Sequence, residues 1–105
     1  SDIQLQQVKD LLVHIPDEKS VLMGDFNAVP DSKTIMKVKV VLIDADLNNE
    51  PTWSVYPKGC PTCNPQKIDI KLDYIFTTKD IKTNSYKVES AKGSDHLPIS
   101  VVVEL

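Results

Sequence analysis

Apolar side chains in residues 2–15 recur at steps of three and four, at Leu5, Val8, Leu12 and Ile15. In a helix with 3.6 residues per turn this spacing places all of them on one face. The pattern therefore predicts an amphipathic helix that opens the chain.

Shorter apolar runs follow this helix. The run from Ser20 to Met23 predicts a buried strand, after which Gly24 to Asn27 leave as a loop. Pro30 to Ser32 begin a second, short helix that extends to about residue 38. Val40 to Ile43 fits a strand or the end of that helix, and the periodicity does not decide between them.

The second half of the chain is richer in strand patterns. Residues 44–69 are polar and proline-rich and predict a long irregular connection, which is often functional. Strands are predicted at residues 70–77, 82–89 and 97–105. The predicted fold class is α/β in the form of an α+β sandwich, with one mixed or antiparallel sheet and flanking helices on one face. Val101 to Val103 need cover on both faces, so more chain is expected in the same domain.

Composition narrows the functional classes. The chain has 105 residues and a net charge of −3, and its lysines are spread along the chain. A dedicated nucleic-acid binder usually has a basic patch, so a nuclease is disfavoured without being excluded. Every apolar run is shorter than the ~20 residues of a membrane span. A soluble protein is expected, cytoplasmic or exported, and the start without Met suggests an excised piece.

Cys60 and Cys63 form one closely spaced pair in the proline-rich connection. A zinc site needs about four ligands, and His14 and His96 are distant in sequence. The favoured interpretation is a loop pair that can oxidise to a disulfide. A small metal-binding or redox domain centred on this pair is the weaker alternative.

Polar residues whose side chains could take part in catalysis lie at or beside the ends of apolar strands. They belong to the motifs Gly24-Asp25-Phe26-Asn27, Thr52-Trp53, Leu72-Asp73-Tyr74-Ile75-Phe76 and Ser94-Asp95-His96-Leu97-Pro98. Strand ends can bring side chains into one crevice and hold them rigidly. Carboxylates can bind Mg²⁺, an imidazole can act as acid or base, and an amide can donate to an oxyanion. Taken together the motifs indicate a hydrolytic site.

In this order and spacing, the motifs resemble the endonuclease/exonuclease/phosphatase family, whose members include DNase I-like nucleases, neutral sphingomyelinases and inositol polyphosphate phosphatases. The resemblance covers nearly the whole chain. It implies that residues 1–105 are the C-terminal part of such a domain, equivalent to about half of a DNase I-like four-layer sandwich.

The resemblance also implies residue roles. Asp25 is expected to orient or deprotonate the attacking water, and Asn27 to hold the scissile phosphate. Asp73 is expected to orient the ring of His96, which contacts the phosphate. Asp95 is expected beside the metal, Mg²⁺ or Mn²⁺, with Asp25 as the other ligand in this chain.

Trp53 resembles an aromatic residue that lies beside the site in many members of the family. It is a candidate for substrate binding, with simple packing as the alternative. The strands that carry an Asn and the principal metal-binding Glu in the family precede the helix at residues 2–15, so the N-terminal half of the domain is expected as a partner.

Two functions from different classes follow from these expectations. One is a metal-dependent phosphoesterase acting on a nucleic acid, a phospholipid or a small phosphate ester by means of activated water. The other is a non-catalytic fragment or binding module that keeps the fold without a complete active site.

Overall fold

The computed structural model describes residues 2–53, 70–89 and 96–105. Within these ranges the elements are α1 (Asp2–Val13), β1 (Val21–Asp25), α2 (Lys33–Val41), β2 (Ile43–Asp44), β3 (Asp73–Thr77), β4 (Lys82–Val88) and β5 (Ile99–Glu104). None of the described helices is long and apolar enough to cross a membrane.

Both helices form where the sequence pattern places them. Val8 of α1 is buried, and Leu12 and Ile15 pack against the same core. The Ser32 side chain caps α2 by accepting a hydrogen bond from the Ile35 amide at 3.3 Å. The helix ends where Leu42 adopts an extended conformation.

The structure decides between helix and strand for residues 40–43, which the periodicity left open. Val40 and Val41 complete the helix, and Ile43 begins β2. The helix therefore extends beyond the predicted residue 38, and the strand is only two residues long.

The described strands form two antiparallel sheets rather than one. In the first, the order is β1-β3-β2, so β3 is central. In the second, β4 pairs with β5. The α+β class is confirmed. The prediction of one sheet is wrong for the described strands, because β4 and β5 pair only with each other.

The core lies between the helices and one face of the three-stranded sheet. Tyr74 and Phe76 of β3 are fully buried there against Ile35 and Val38 of α2. Phe26 meets both aromatic rings edge-on, at centroid distances of 5.5 and 5.3 Å, an arrangement that aromatic pairs favour.

The prediction that residues 20–23 form a buried strand is wrong in its burial and in its end. β1 continues through Gly24 and Asp25, and four of its five residues are exposed. The reason is that β1 is an edge of the three-stranded sheet and only Leu22 packs against the core. In contrast, four of the five residues of β3 are buried, on both faces of the strand.

Candidate active site

Two carboxylates meet because of the register between β1 and β3. Asp25, the last residue of β1, lies opposite Asp73, the first residue of β3. Antiparallel pairing places the end of one strand beside the start of the other. Residues 48 positions apart in sequence are thereby brought to the same edge of the sheet.

His96 completes the cluster from a third segment. Its Nδ1 lies 2.7 Å from Asp73 Oδ2, and its Nε2 lies 3.6 Å from Asp25 Oδ2. The first distance is that of a strong hydrogen bond and the second is too long for one. His96 is therefore bound to Asp73 and faces Asp25.

The geometry fixes the proton on the imidazole. An ionised carboxylate can only accept hydrogen bonds, so Nδ1 carries the proton that Asp73 accepts. The other ring nitrogen, Nε2, then faces Asp25. Side-chain exposure rises from 14% for Asp73 to 27% for His96 and 47% for Asp25, so Asp25 is the member most open to solvent.

The turn after β1 is organised by Asp25 itself. Asp25 Oδ1 accepts a hydrogen bond from the Asn27 amide at 2.8 Å, and Asn27 has a positive φ of 48°. Asn tolerates this left-handed conformation better than most residues. Gln4 of α1 donates to the Asn27 carbonyl at 3.2 Å, which ties the turn to the helix.

Thr52 and Trp53 lie behind the cluster. Trp53 forms isolated β-bridges with Ile70 and with His96, and its ring centroid is 6.2 Å from that of His96. Thr52 is fully buried, and its hydroxyl oxygen accepts hydrogen bonds from the amides of Leu72 and Asp73. The pair therefore connects the segments that carry Asp73 and His96.

A buried charge network lies next to the site. Lys71 Nζ contacts Asp44 Oδ2 at 2.6 Å and Asp46 Oδ2 at 3.2 Å, and all three side chains are at least 94% buried. Lys71 Nζ also lies 4.7 Å from the Tyr74 ring centroid. Burial, followed by the charge of Asp44, raises the pKa of Tyr74 well above its usual value. Its hydroxyl thus stays protonated and donates to the Ala28 carbonyl at 2.7 Å.

The cluster opens into a cavity of about 350 Å³ between β1 and the segment that leads into β5. Its lining combines the three polar residues with apolar side chains, among them Met23, Ile75, Leu97, Pro98 and Ile99. The polar groups therefore occupy one end of an otherwise apolar recess.

The structure brings together three of the residues that the sequence singled out, namely Asp25, Asp73 and His96. Trp53 lies beside them, and Asn27 occupies the adjoining turn with its side chain exposed. Asp95, Cys60 and Cys63 lie outside the described residues. The roles assigned to all these residues stay predictions.

Sequence reasoning named Thr52 within a motif but gave it no role, and it missed Lys71 and its carboxylate partners. A buried lysine is rare unless it is paired. In the sequence, however, Lys71 looks like one of many surface lysines, and only the fold reveals its partners.

The three side chains are also the one group among the described residues whose ligand atoms could share a metal ion, since these atoms lie within 4.8 Å of one another. Mg²⁺ prefers oxygen ligands and is often held by one or two carboxylates and water. Asp73 is already bonded to His96, so Asp25 is the better placed of the two carboxylates. The donor set fits a hard divalent cation with few protein ligands.

Comparison with known protein families gives a match over most of the chain. The model described as "Endonuclease/Exonuclease/phosphatase family" matches residues 2–96. That span includes every member of the cluster and all the elements that position it. No significant match was found among curated proteins or among solved structures.

Proposed function

Because the chain belongs to the endonuclease/exonuclease/phosphatase family, whose members are hydrolases of the phosphoesterase and nuclease type, we propose that it carries part of the active site of a divalent-metal-dependent phosphoesterase. The reaction is hydrolysis of a phosphodiester or phosphomonoester by activated water. The observation that carries the proposal is the convergence of Asp25, Asp73 and His96 at one edge of the sheet.

Asp73 and His96 act as a pair in this proposal. The 2.7 Å hydrogen bond holds the imidazole in one orientation and favours its protonated form when negative charge develops nearby. His96 Nε2 then donates to a phosphate oxygen in the transition state. Asp73 does not touch the substrate and works through the histidine.

Asp25 is the candidate for the group that orients or deprotonates the attacking water. It is the most exposed of the three, and its Oδ1 is fixed by the Asn27 amide. Fixing one carboxylate oxygen defines the direction of the other, which positions a reactant without further reorganisation. Asn27, two residues later, would donate its side-chain amide to the scissile phosphate.

A bound Mg²⁺ or Mn²⁺ would polarise the phosphate and stabilise charge on the leaving oxygen. Asp25 is the described residue best placed to hold it, with Asp95 as a second ligand. The N-terminal half of the domain is proposed to supply the Glu that is the principal ligand.

A second candidate is a module that keeps the family fold without completing the site. It is favoured by the composition of the cluster, since the described residues bring only two carboxylates to a site meant for a divalent cation and phosphate. The net charge of −3 also gives no long-range attraction for a polyanion.

Nucleic acid, phospholipid and small phosphate esters all remain candidate substrates of the complete domain.

The test is Mg²⁺-dependent hydrolysis of an aryl phosphodiester by this chain and by a longer chain with the upstream half. In whichever is active, Asp25→Asn and His96→Ala are each expected to lower the rate by about 10²–10⁴-fold, the range for lost acid–base or oxyanion groups. Asp10→Asn is the matched control, because it removes the same charge from the exposed surface of α1.

Each outcome discriminates between the candidates. Activity of the 105-residue chain that disappears with EDTA and with Asp25→Asn would mean that the chain assembles a complete site. Activity only in the longer chain supports the proposal that the upstream half is required. A loss of only a few-fold in both variants would remove Asp25 and His96 from the mechanism, and inactivity of both chains favours the second candidate.

A further inference from the structure

We propose that Thr52 is a positioning residue that sets the geometry of the Asp73–His96 pair. The inference rests on the proposed function, because it concerns the same site. In this proposal Thr52 does not contact substrate or metal. It positions Asp73, which orients the imidazole, and His96, which contacts the phosphate.

The hydroxyl of Thr52 determines how the chain enters β3. Its oxygen accepts the Leu72 amide at 3.1 Å and the Asp73 amide at 3.2 Å. Successive amides of an extended strand point in opposite directions. Because these two converge on a single oxygen, the backbone turns between Leu72 and Asp73, where β3 begins.

That turn decides where the Asp73 side chain points. The direction of a Cα–Cβ bond follows from the orientation of the two peptide planes beside it. One of these planes contains the Asp73 amide that Thr52 holds. The hydroxyl oxygen thus acts on the carboxylate that lies 2.7 Å from His96 Nδ1.

The main chain of Thr52 positions the other partner. Its carbonyl accepts the Leu97 amide at 2.9 Å, one residue from His96, while its own amide donates to the Ile70 carbonyl at 2.9 Å. One fully buried residue is therefore bonded both to the segment that carries Asp73 and to the segment that carries His96.

The Thr52 side chain accepts hydrogen bonds from two amides that no described strand pairs with on this side of β3. On this side of β3, β2 pairs only with Phe76 and Thr77, and Ala45 adds a bond to the Ile75 carbonyl. No described strand reaches Leu72 or Asp73 from that side. The Thr52 hydroxyl takes the place of a strand there, and a valine of the same shape could not do so.

The test compares Thr52→Val, which keeps the shape and removes the acceptor, with Thr52→Ser, which keeps the acceptor. Thr78→Val is the matched control. Thr78 is also buried, its oxygen accepts the Ser20 amide at 3.1 Å, and it follows the far end of β3. Folding of each variant is checked by circular dichroism.

The first readout is the ¹H NMR signal of the His96 Nδ1 proton, measured in the 105-residue chain without metal. Thr52→Val is expected to lose or shift this signal, whereas Thr52→Ser and Thr78→Val retain it. The readout needs no hydrolysis, so it tests Thr52 even if the proposed function fails.

The second readout is the rate in whichever chain hydrolyses the aryl phosphodiester. Thr52→Val is expected to lower kcat by about 10–100-fold with little change in KM, since a displacement of about 1 Å can cost that much. Thr52→Ser should restore most of the rate. Thr78→Val should lower stability and leave kcat within a few-fold of wild type.

An unchanged His96 signal in folded Thr52→Val would overturn the proposal, as would an equal loss of that signal in Thr78→Val. If Thr52→Val does not fold, amide hydrogen exchange of the wild-type chain decides. Protected amides at Leu72 and Asp73, with the same protection in Thr52→Ser, support the proposal, and exchange at the rate of unprotected amides overturns it.

Discussion

At the scale of single residues, the φ angle of Gly24 affects how the neighbouring Asp25 is placed in the site. Gly24 has a φ of 151°, a conformation that side-chain-bearing residues rarely adopt. It lies directly before Asp25 at the point where β1 turns toward Asn27. The conformation at Gly24 therefore helps to set the backbone direction from which the Asp25 side chain projects towards His96.

Gly24→Ala is expected to destabilise the chain by about 1–3 kcal/mol, the cost of a strained backbone at a non-glycine residue. Nothing lies within 4 Å of the added Cβ, so the cost is conformational and not a clash. Urea unfolding measures it, with Ala28→Gly as a reference for the opposite exchange in the loop that follows β1. A loss below about 0.5 kcal/mol would show that β1 can relax without strain.

At the scale of elements, the buried network of Lys71, Asp44 and Asp46 joins the end of β2 to the segment that enters β3. The carboxylates also order the chain that follows β2. Asp44 Oδ1 accepts the Asp46 amide, and Asp46 accepts the amides of Asn48 and Glu50. Lys71 balances one of these two buried charges, and it precedes Leu72 and Asp73 in sequence.

Lys71→Met is expected to cost about 3–5 kcal/mol of stability, because it leaves two buried carboxylates without their cation. Lys39→Met, at an exposed position on α2, is the control and should stay within about 0.5 kcal/mol of wild type. The free energy of unfolding in urea is the measurement. A small effect at Lys71 would mean that water or the backbone amides already satisfy the carboxylates.

At the scale of the whole molecule, stability depends on pH through contacts at the end of the sheet far from the site. Asp80 accepts hydrogen bonds from the Thr78 hydroxyl at 2.6 Å and from the Lys19 amide at 3.1 Å. The Thr78 bond and then the Lys19 bond lower the pKa of Asp80 below its usual value of 3.8. This contribution to stability is therefore present above pH 3.8 and is lost as the pH falls through the pKa of the folded state.

Asp80→Asn is accordingly expected to lower the urea midpoint most above about pH 4 and progressively less below it. Urea unfolding at a series of pH values measures the difference from wild type. Asp10→Asn provides the comparison, because it removes an equal charge from an exposed carboxylate. Asp10 accepts one hydrogen bond, from Gln6 Nε2 at 3.0 Å, which an asparagine oxygen can also accept. A difference that stays constant down to pH 2 would show that the charge of Asp80 does not contribute.

Local patterns in the sequence were enough to predict α1, α2 and the strands β1, β3, β4 and β5, because apolar periodicity reflects which face is buried. Asp25, Asp73 and His96 were selected because their motifs occur together at strand ends and resemble those of a known family, whereas each motif alone is weak. The division into two sheets, the exposure of β1 and the partners of Lys71 depend on which strands pair. That information lies in contacts between distant residues, which no local pattern contains.

Trp53 is the only tryptophan in the chain, and it lies beside His96 at the junction of the segments that form the site. Its fluorescence is therefore an intrinsic optical reporter of that junction. Circular dichroism, in contrast, is dominated by the helices on the opposite face of the sheet. If the two signals change at the same urea concentration, the site and the core unfold as one cooperative unit. If the emission changes first, the edge that carries the candidate site opens while the helices remain folded.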